Sequence, residues 1–238
     1  MPLVAPEEAN VAVLTTCKGR LSHLQRALPT WLAQETTIRY SITVLDYACP
    51  EGTYAWLVEQ ADPRITAAKY ETDSPYYAHA HARNLVARAA NAEILVFLDA
   101  DNLLRPGWLS SACAQILLGD ADYCESLWHP QCRNPGTCAI TATHHHRIRG
   151  FDESLRNWGA SDKDYYLRAS VQGRKCQWDV TLLEAIPHDE AARVRHYQVK
   201  STQESNRLNE TQIQDWRRRV NPNGYGLGEL RLRPGHSG

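Results

Sequence analysis

The chain of 238 residues lacks a dominant charge: 26 Lys and Arg stand against 27 Asp and Glu, a formal net charge of −1. Nothing global therefore draws it toward nucleic acid or a membrane surface. It has no apolar run near the ~20 residues that a membrane-spanning helix needs. The opening "MPLVAPEEAN" lacks the basic-then-apolar layout of a secretory leader. Seven cysteines, odd in number and scattered, include no C-x-x-C pair, which argues against a zinc site or a disulfide framework and for a reducing compartment. Together these absences predict a cytoplasmic protein. With no internal repeat and no low-complexity linker, one domain over 1–238 is expected. The neutrality hides an asymmetry: Ala191–Gly238 holds nine Lys/Arg against four Asp/Glu, the rest 17 against 23. That basic end is either a solvated face or a contact for an anionic acceptor.

What is present is an ordinary globular composition, 43% hydrophobic and 22% charged, with a clear rhythm. "VAVLTTC" (11–17), "YSITVLDYA" (40–48), "ITAAKY" (65–70) and "EILVFLDAD" (93–101) read as strands. Between them "RLSHLQRALPTWLAQ" (20–34), "TYAWLVEQA" (53–61) and "AHARNLVARAANA" (80–92) read as helices, Pro29 being expected to kink or divide the first. This alternation predicts a mainly parallel sheet covered on both faces. Ligands of such sheets sit outside the carboxyl ends of the strands, which gives Thr16, Cys17, Asp46, Asp99 and Asp101 one crevice. Beyond Asn102, "GWLSSACAQILLG" (107–119) and "ASDKDYYLRASVQG" (160–173) read as helices, and "ADYCESLWHP" (121–130) and "GTCAITATH" (136–144) as strands. A last helix from Gln203 leads into the Gly-rich "NPNGYGLG" (221–228).

The first chemical signal is "ILVFLDADN" (94–102). An apolar run predicts a strand buried on both faces, yet two aspartates follow where it ends, and Asp is rarely buried unless paired or on a metal. In continued strand geometry Asp99 and Asp101 point the same way. One can then accept hydrogen bonds from ligand hydroxyls while the other holds Mg²⁺ or Mn²⁺, ions that take one or two carboxylates plus phosphate oxygens. A loop aspartate capping the next helix is the plainer alternative, and three letters do not choose.

The wider context does. "VLDYACPEGT" together with "ARNLVARAANAEILVFLDADN" resembles the inverting family 2 glycosyltransferases of the GT-A fold, in which an aspartate closes a strand before a "GSxDGT"-like loop and a helix opening with "ARN" leads to a D-x-D strand end. The resemblance implies a Rossmann-like three-layer α/β/α sandwich around a mixed, mainly parallel sheet. Residues 1–102 would be its nucleotide-sugar half, 103–200 its acceptor and catalytic half, and 201–238 a C-terminal helix and possible lid. It also implies a nucleotide-sugar donor, a UDP-sugar foremost, with Asp46 on the base, Asp99 on the ribose and Asp101 on the metal bridging the diphosphate. Thr15, Arg20 and Arg83 are implied donor contacts. Tyr47 and Ala48 stand where many members carry an acidic or Asn residue and a Gly, so the base is less defined.

A second cluster, "GFDESLRNWGASDKDYYLR" (150–168), is similar to the "GFDE…WGxED" run of the galactosyltransferase-like branch. Asp162 falls at that branch's catalytic base, and Ser161 replaces the usual Glu. A carboxylate in a helix's first turn is favoured by the helix dipole, Ser161 is a candidate N-cap, and decoration of a helix start is the plainer reading. Trp158 beside Gly159 suits a platform for an acceptor sugar, with core packing as its rival. The branch also implies His188 as an additional metal ligand. "THHHR" (143–147) looks like a metal cluster, but adjacent side chains diverge, so structural roles are favoured. His79 and His81, just ahead of the "ARN" helix, read as packing or substrate contacts. Competing functions are a non-catalytic nucleotide-sugar or glycan-binding module on the same fold, which Ser161 supports, and a sugar nucleotidyltransferase, disfavoured because only Lys18 and Gly19 follow the first strand where a Gly-rich phosphate loop belongs.

Overall fold

The computed structural model describes residues 10–125, 136–213 and 219–234. The chain runs β1 (Val11–Cys17), α1 (Leu21–Leu32), β2 (Tyr40–Tyr47), α2 (Thr53–Val58), β3 (Ile65–Tyr70), α3 (His79–Ala89) and β4 (Ile94–Phe97). It continues through β5 (Asn102–Leu104), α4 (Trp108–Leu117), β6 (Tyr123–Glu125), β7 (Cys138–Thr141), α5 (Ala142–Arg147) and α6 (Ser161–Gln172). Last come β8 (Lys175–Gln177), β9 (Leu183–Ala185), α7 (Glu190–Val194), α8 (Thr202–Ile213) and β10 (Arg231–Pro234). Among the described residues one sheet has the order β10-β3-β2-β1-β4-β7-β6-β8, and β5 pairs with β9 in a separate ribbon. The four central strands are parallel, while β7 and β10 join antiparallel.

Strand alternation decides the layers. On β1, Val11, Val13 and Cys17 pack with Leu24, Leu28 and Trp31 of α1 and with α4, whereas Ala12 and Leu14 pack with Leu85 and Val86 of α3 and Tyr165 of α6. Both faces of the sheet are therefore covered, as its unbroken apolar strands require. Strand order reverses between β1 and β4, so the crevice that such sheets open for ligands lies at their carboxyl ends.

Several expectations change. α1 runs undivided through Pro29, because the proline lies on the exposed face where the carbonyl it strands meets water. The strand expected to reach His144 stops at Thr141, whose hydroxyl accepts the His144 N–H (3.1 Å) and starts α5. His79 and His81 lie inside the first turn of α3, not ahead of it. Asp99 to Asp101 form a turn rather than continued strand, with Asn102 N–H donating to Asp99 O (3.1 Å), because β5 leaves the main sheet to pair with β9. β10 was not foreseen. Within 121–130 only Tyr123–Glu125 is a described strand; residues 126–130, and the "DWRR" at 215–218, fall outside the described residues.

Candidate active site

The centre of the crevice is a buried cation. Arg83, 2% exposed, donates Nη2 to Asp99 Oδ1 (2.6 Å) and Nη1 to Asp162 Oδ1 (2.9 Å), while its guanidinium lies 5.1 Å from the Phe151 ring. Burial disfavours the charge, but the two carboxylates dominate, and the Arg83 pKa lies above its usual range. For Asp162 the order is reversed. Burial raises its pKa, Arg83 lowers it, Asp99 raises it again, and the net shift is upward. A carboxylate of raised pKa is a stronger base than a solvated one.

The next residue of α3 does the complementary work. Asn84 Nδ2 donates to Phe151 O and Glu153 Oε1 (both 2.8 Å), and the Phe151 N–H donates to Asn84 Oδ1 (2.8 Å). The "ARN" and "GFDE" stretches are thus bonded to one another, and α3 fixes the entry to α6. There Gly159 (φ +79°) and Ala160 (φ +61°) are both left-handed. The chain enters α6 by this backbone turn, so Ser161 is not the N-cap expected of it: it is the first helical residue and 2% exposed. The two acidic residues then part: Asp162 faces Arg83, and Asp164, 1% exposed, pairs with Arg168 (2.7 Å).

Asp101 lies across the turn from Asp99. The β5–β9 ribbon brings in His188: Ile186 N–H donates to Asp101 O (2.8 Å), and His188 Nδ1 is 3.2 Å from Asp101 Oδ2. Among the described residues Asp101 Oδ1, which is buried, has no hydrogen-bond partner. Burial and the nearby Asp99 raise the Asp101 pKa, while burial and Arg20 lower that of His188. Among the described residues no three His, Cys, Asp or Glu side chains gather into a metal cage. The pair itself fits a hard divalent ion. Two adjacent ligands at 2.0–2.1 Å from an octahedral ion lie roughly 3 Å apart, close to the separation of this carboxylate and imidazole, although His188 Nδ1 also lies 3.2 Å from Ile186 O.

The other expected site residues each have partners within the protein. Asp46, 2% exposed, accepts the N–H groups of Cys49 (2.6 Å) and Tyr54 (2.7 Å), so its carboxylate shapes the loop after β2. Thr15, 1% exposed, donates to Leu98 O (2.8 Å) and ties β1 to the end of β4. Arg20 bonds Ala192 O (2.8 Å) and acts electrostatically on both Asp101 and His188. Trp158 is half-buried, with the Arg193 guanidinium 5.8 Å from its ring. Its loop is clamped by α8: Asn209 Nδ2 donates to Gly159 O (2.6 Å) and Ser205 Oγ to Trp158 O (2.5 Å).

Histidines 144 and 145 are buried on α5, bonded to Ala169 O (3.1 Å) and Tyr165 Oη (2.7 Å). The 221–228 loop, expected as a lid, is stitched to α3: Arg88 reaches Tyr225 O and Gly226 O, and Gly226 N–H donates to Glu153. Sequence reading passed over Tyr77, bonded to Thr16 Oγ1, and gave His79 no carboxylate, although its Nε2 lies 3.8 Å from Asp99. Their closeness to "ARN" was the available signal. Arg193 was visible only as part of a basic tail.

Residues 12–160 match the glycosyl transferase family 2. The chain belongs to that family. Residues 121–200 of this family 2 glycosyltransferase also match the N-terminal domain of galactosyltransferase, and no curated protein matches it. Similar solved structures include S. aureus TarS 1–349 in complex with UDP-GlcNAc, at 15% identity and a TM-score of 0.66 over 87% of this chain and 67% of that one. Another is the Pyrobaculum calidifontis mannosyltransferase PcManGT in complex with GDP-Man and Mn²⁺, at 20% identity and 0.64 over 82% and 65%. The chain spans between 40% and 67% of the length of such structures. They share the GT-A fold expected from sequence, with its mixed, mainly parallel sheet. Among the described residues no helix is long and apolar enough to cross a membrane.

Proposed function

We propose that this family 2 enzyme is a metal-dependent inverting glycosyltransferase that moves a sugar from a nucleotide sugar, UDP-linked foremost, to an acceptor hydroxyl. The observation that carries the reading is the single guanidinium of Arg83 joining Asp99, on the donor side, to Asp162, on the acceptor side. Asp162 takes the proton of the acceptor hydroxyl. The oxygen then attacks the anomeric carbon from the face opposite the diphosphate, through an oxocarbenium-like state, and configuration inverts. Arg83 keeps Asp162 ionised and aimed despite its burial. Asp99 receives ribose hydroxyls beside it. Asp101 and His188 would hold Mn²⁺ or Mg²⁺, leaving the other positions to the diphosphate. When bound, the cation supplies Lewis-acid stabilisation of the departing charge. Trp158, with Arg193 near its ring, offers the acceptor sugar an apolar platform.

The test is calorimetry of UDP and GDP with and without Mn²⁺, followed by metal-dependent hydrolysis of the matching sugar nucleotides. The reading expects UDP uptake that depends on Mn²⁺ and slow release of the sugar. Uptake without any hydrolysis or transfer would favour the non-catalytic binding module instead. No uptake of either nucleotide would end both readings.

A further inference from the structure

The carboxyl edge of the sheet carries a further carboxylate that the transfer reading leaves unused. β6 and β4 both run antiparallel to β7, so they end at the same edge, where Glu125 is in register with Cys138 and Cys138 with Phe97. Cross-strand partners share a face. On this face the Arg83 guanidinium lies 5.8 Å from the Phe97 ring and holds Asp162. Tyr166, one helical turn beyond Asp162 on α6, reaches the strand between: its Oη donates to Thr137 O (3.3 Å), next to Cys138. With strands about 4.8 Å apart, the Glu125 and Phe97 backbones are separated by about 10 Å. The Glu125 side chain is 10% exposed, and its Oε1 accepts a hydrogen bond from Lys175 Nζ (2.9 Å) on β8. Among the described residues its Oε2 is buried and has no hydrogen-bond partner. A buried carboxylate oxygen with nothing to accept is costly, and this one stands at the end of the sheet where ligands bind. Lys175 already balances the charge. What Oε2 lacks is a neutral hydrogen-bond donor.

We propose, resting on the transfer reading above, that Glu125 is a specificity-determining residue for the acceptor and that the acceptor is a neutral sugar. One sugar hydroxyl loses its proton to Asp162, and a second donates a hydrogen bond to Glu125 Oε2. A mono- or disaccharide covers the span between the two carboxylates. Glu125 takes no proton and forms no covalent bond. It fixes which way round the sugar lies, and so which hydroxyl meets Asp162. An analogue that lacks the second hydroxyl is rejected because the carboxylate oxygen is then left buried and unpaired.

The experiment supplies the full chain with Mn²⁺ and UDP-sugars and follows transfer to glucose, galactose, N-acetylglucosamine, lactose and cellobiose by mass spectrometry, with UDP release measured beside it. Glu125→Gln should raise the KM of the best acceptor about tenfold, the worth of one hydrogen bond, with a smaller change in donor KM. Glu125→Asp keeps a charge opposite Lys175 but withdraws the oxygen by one methylene. It should raise the acceptor KM as well, and it decides the matter if the Gln variant does not fold. One monodeoxy form of the best acceptor, lacking a hydroxyl other than the reacting one, should lose about tenfold in kcat/KM with the natural protein and nothing further with Glu125→Gln. Lys175→Met removes the ion pair but keeps Oε2, so its acceptor KM should stay near the natural value. Equal rises in donor and acceptor KM, or the same acceptor loss from Lys175→Met, make Glu125 a structural group and overturn the proposal. UDP release without transfer to any of these sugars overturns it too. A chain that neither binds UDP nor hydrolyses UDP-sugars refutes the transfer reading itself, and the proposal with it.

Discussion

Asp99 and Asp162, far apart in the chain, are bonded to the two terminal nitrogens of one buried guanidinium, that of Arg83. A carboxylate at the end of β4 and one in the first turn of α6 thereby share a counter-ion. Neither needs its own, and neither moves without disturbing the other.

Replacing Asp162 by Asn keeps the shape of the group and removes its basicity. Transfer should fall by about 10²–10⁴-fold, the usual contribution of a general base, with UDP affinity unchanged. Steady-state turnover beside nucleotide calorimetry checks this, and an Asn variant with normal turnover contradicts it.

Arg83→Met leaves two carboxylates facing one another without their cation. Because the carboxylates are partly exposed, a destabilisation of about 2–4 kcal/mol is expected, read by denaturant unfolding. Arg83 lowers the Asp162 pKa, so its removal raises that pKa further. The base must be ionised to work. The acidic limb of kcat/KM should therefore lie above the ordinary carboxylate range in the natural protein and move to still higher pH in the variant.

Chelation with EDTA should abolish UDP-dependent thermal stabilisation, and Mn²⁺ should restore it. With Mn²⁺ present, UDP at about 100 times its Kd adds about 2.7 kcal/mol by linkage. His188→Ala should weaken Mn²⁺ binding at least tenfold, an order of magnitude comparable to the loss of an orienting group, and Asp101→Asn more, since that carboxylate carries the charge. Mn²⁺ titrations unaltered by His188→Ala would remove the imidazole from the metal.

Gly159→Ala places a Cβ at a left-handed position (φ +79°) and into Asn206 Oδ1. A cost of about 1–3 kcal/mol follows from strain and overlap, seen as a lower Tm. Because Asn209 and Ser205 clamp this same loop beside Asp162, the acceptor KM should rise more than the donor KM.

Much of this molecule was legible in its sequence. The strand–helix alternation fixed a covered parallel sheet, because unbroken apolar strands have no other way to hide both faces. The "ARN", "LDAD" and "GFDE…WG" runs marked Arg83, Asp99, Asp101 and Asp162, since charged residues at strand ends and helix starts stand out against an apolar background. The partner of each side chain was not legible. Asp46 and Thr15 occupy the expected strand ends yet bond backbone groups, Asp162 and Asp164 differ by two positions yet face opposite surroundings, and His188 reaches Asp101 only because β9 pairs with β5. Residue type and spacing set which groups lie near the sheet edge. Which oxygen meets which nitrogen depends on contacts between segments far apart in the chain, and burial then sets the charge each group carries.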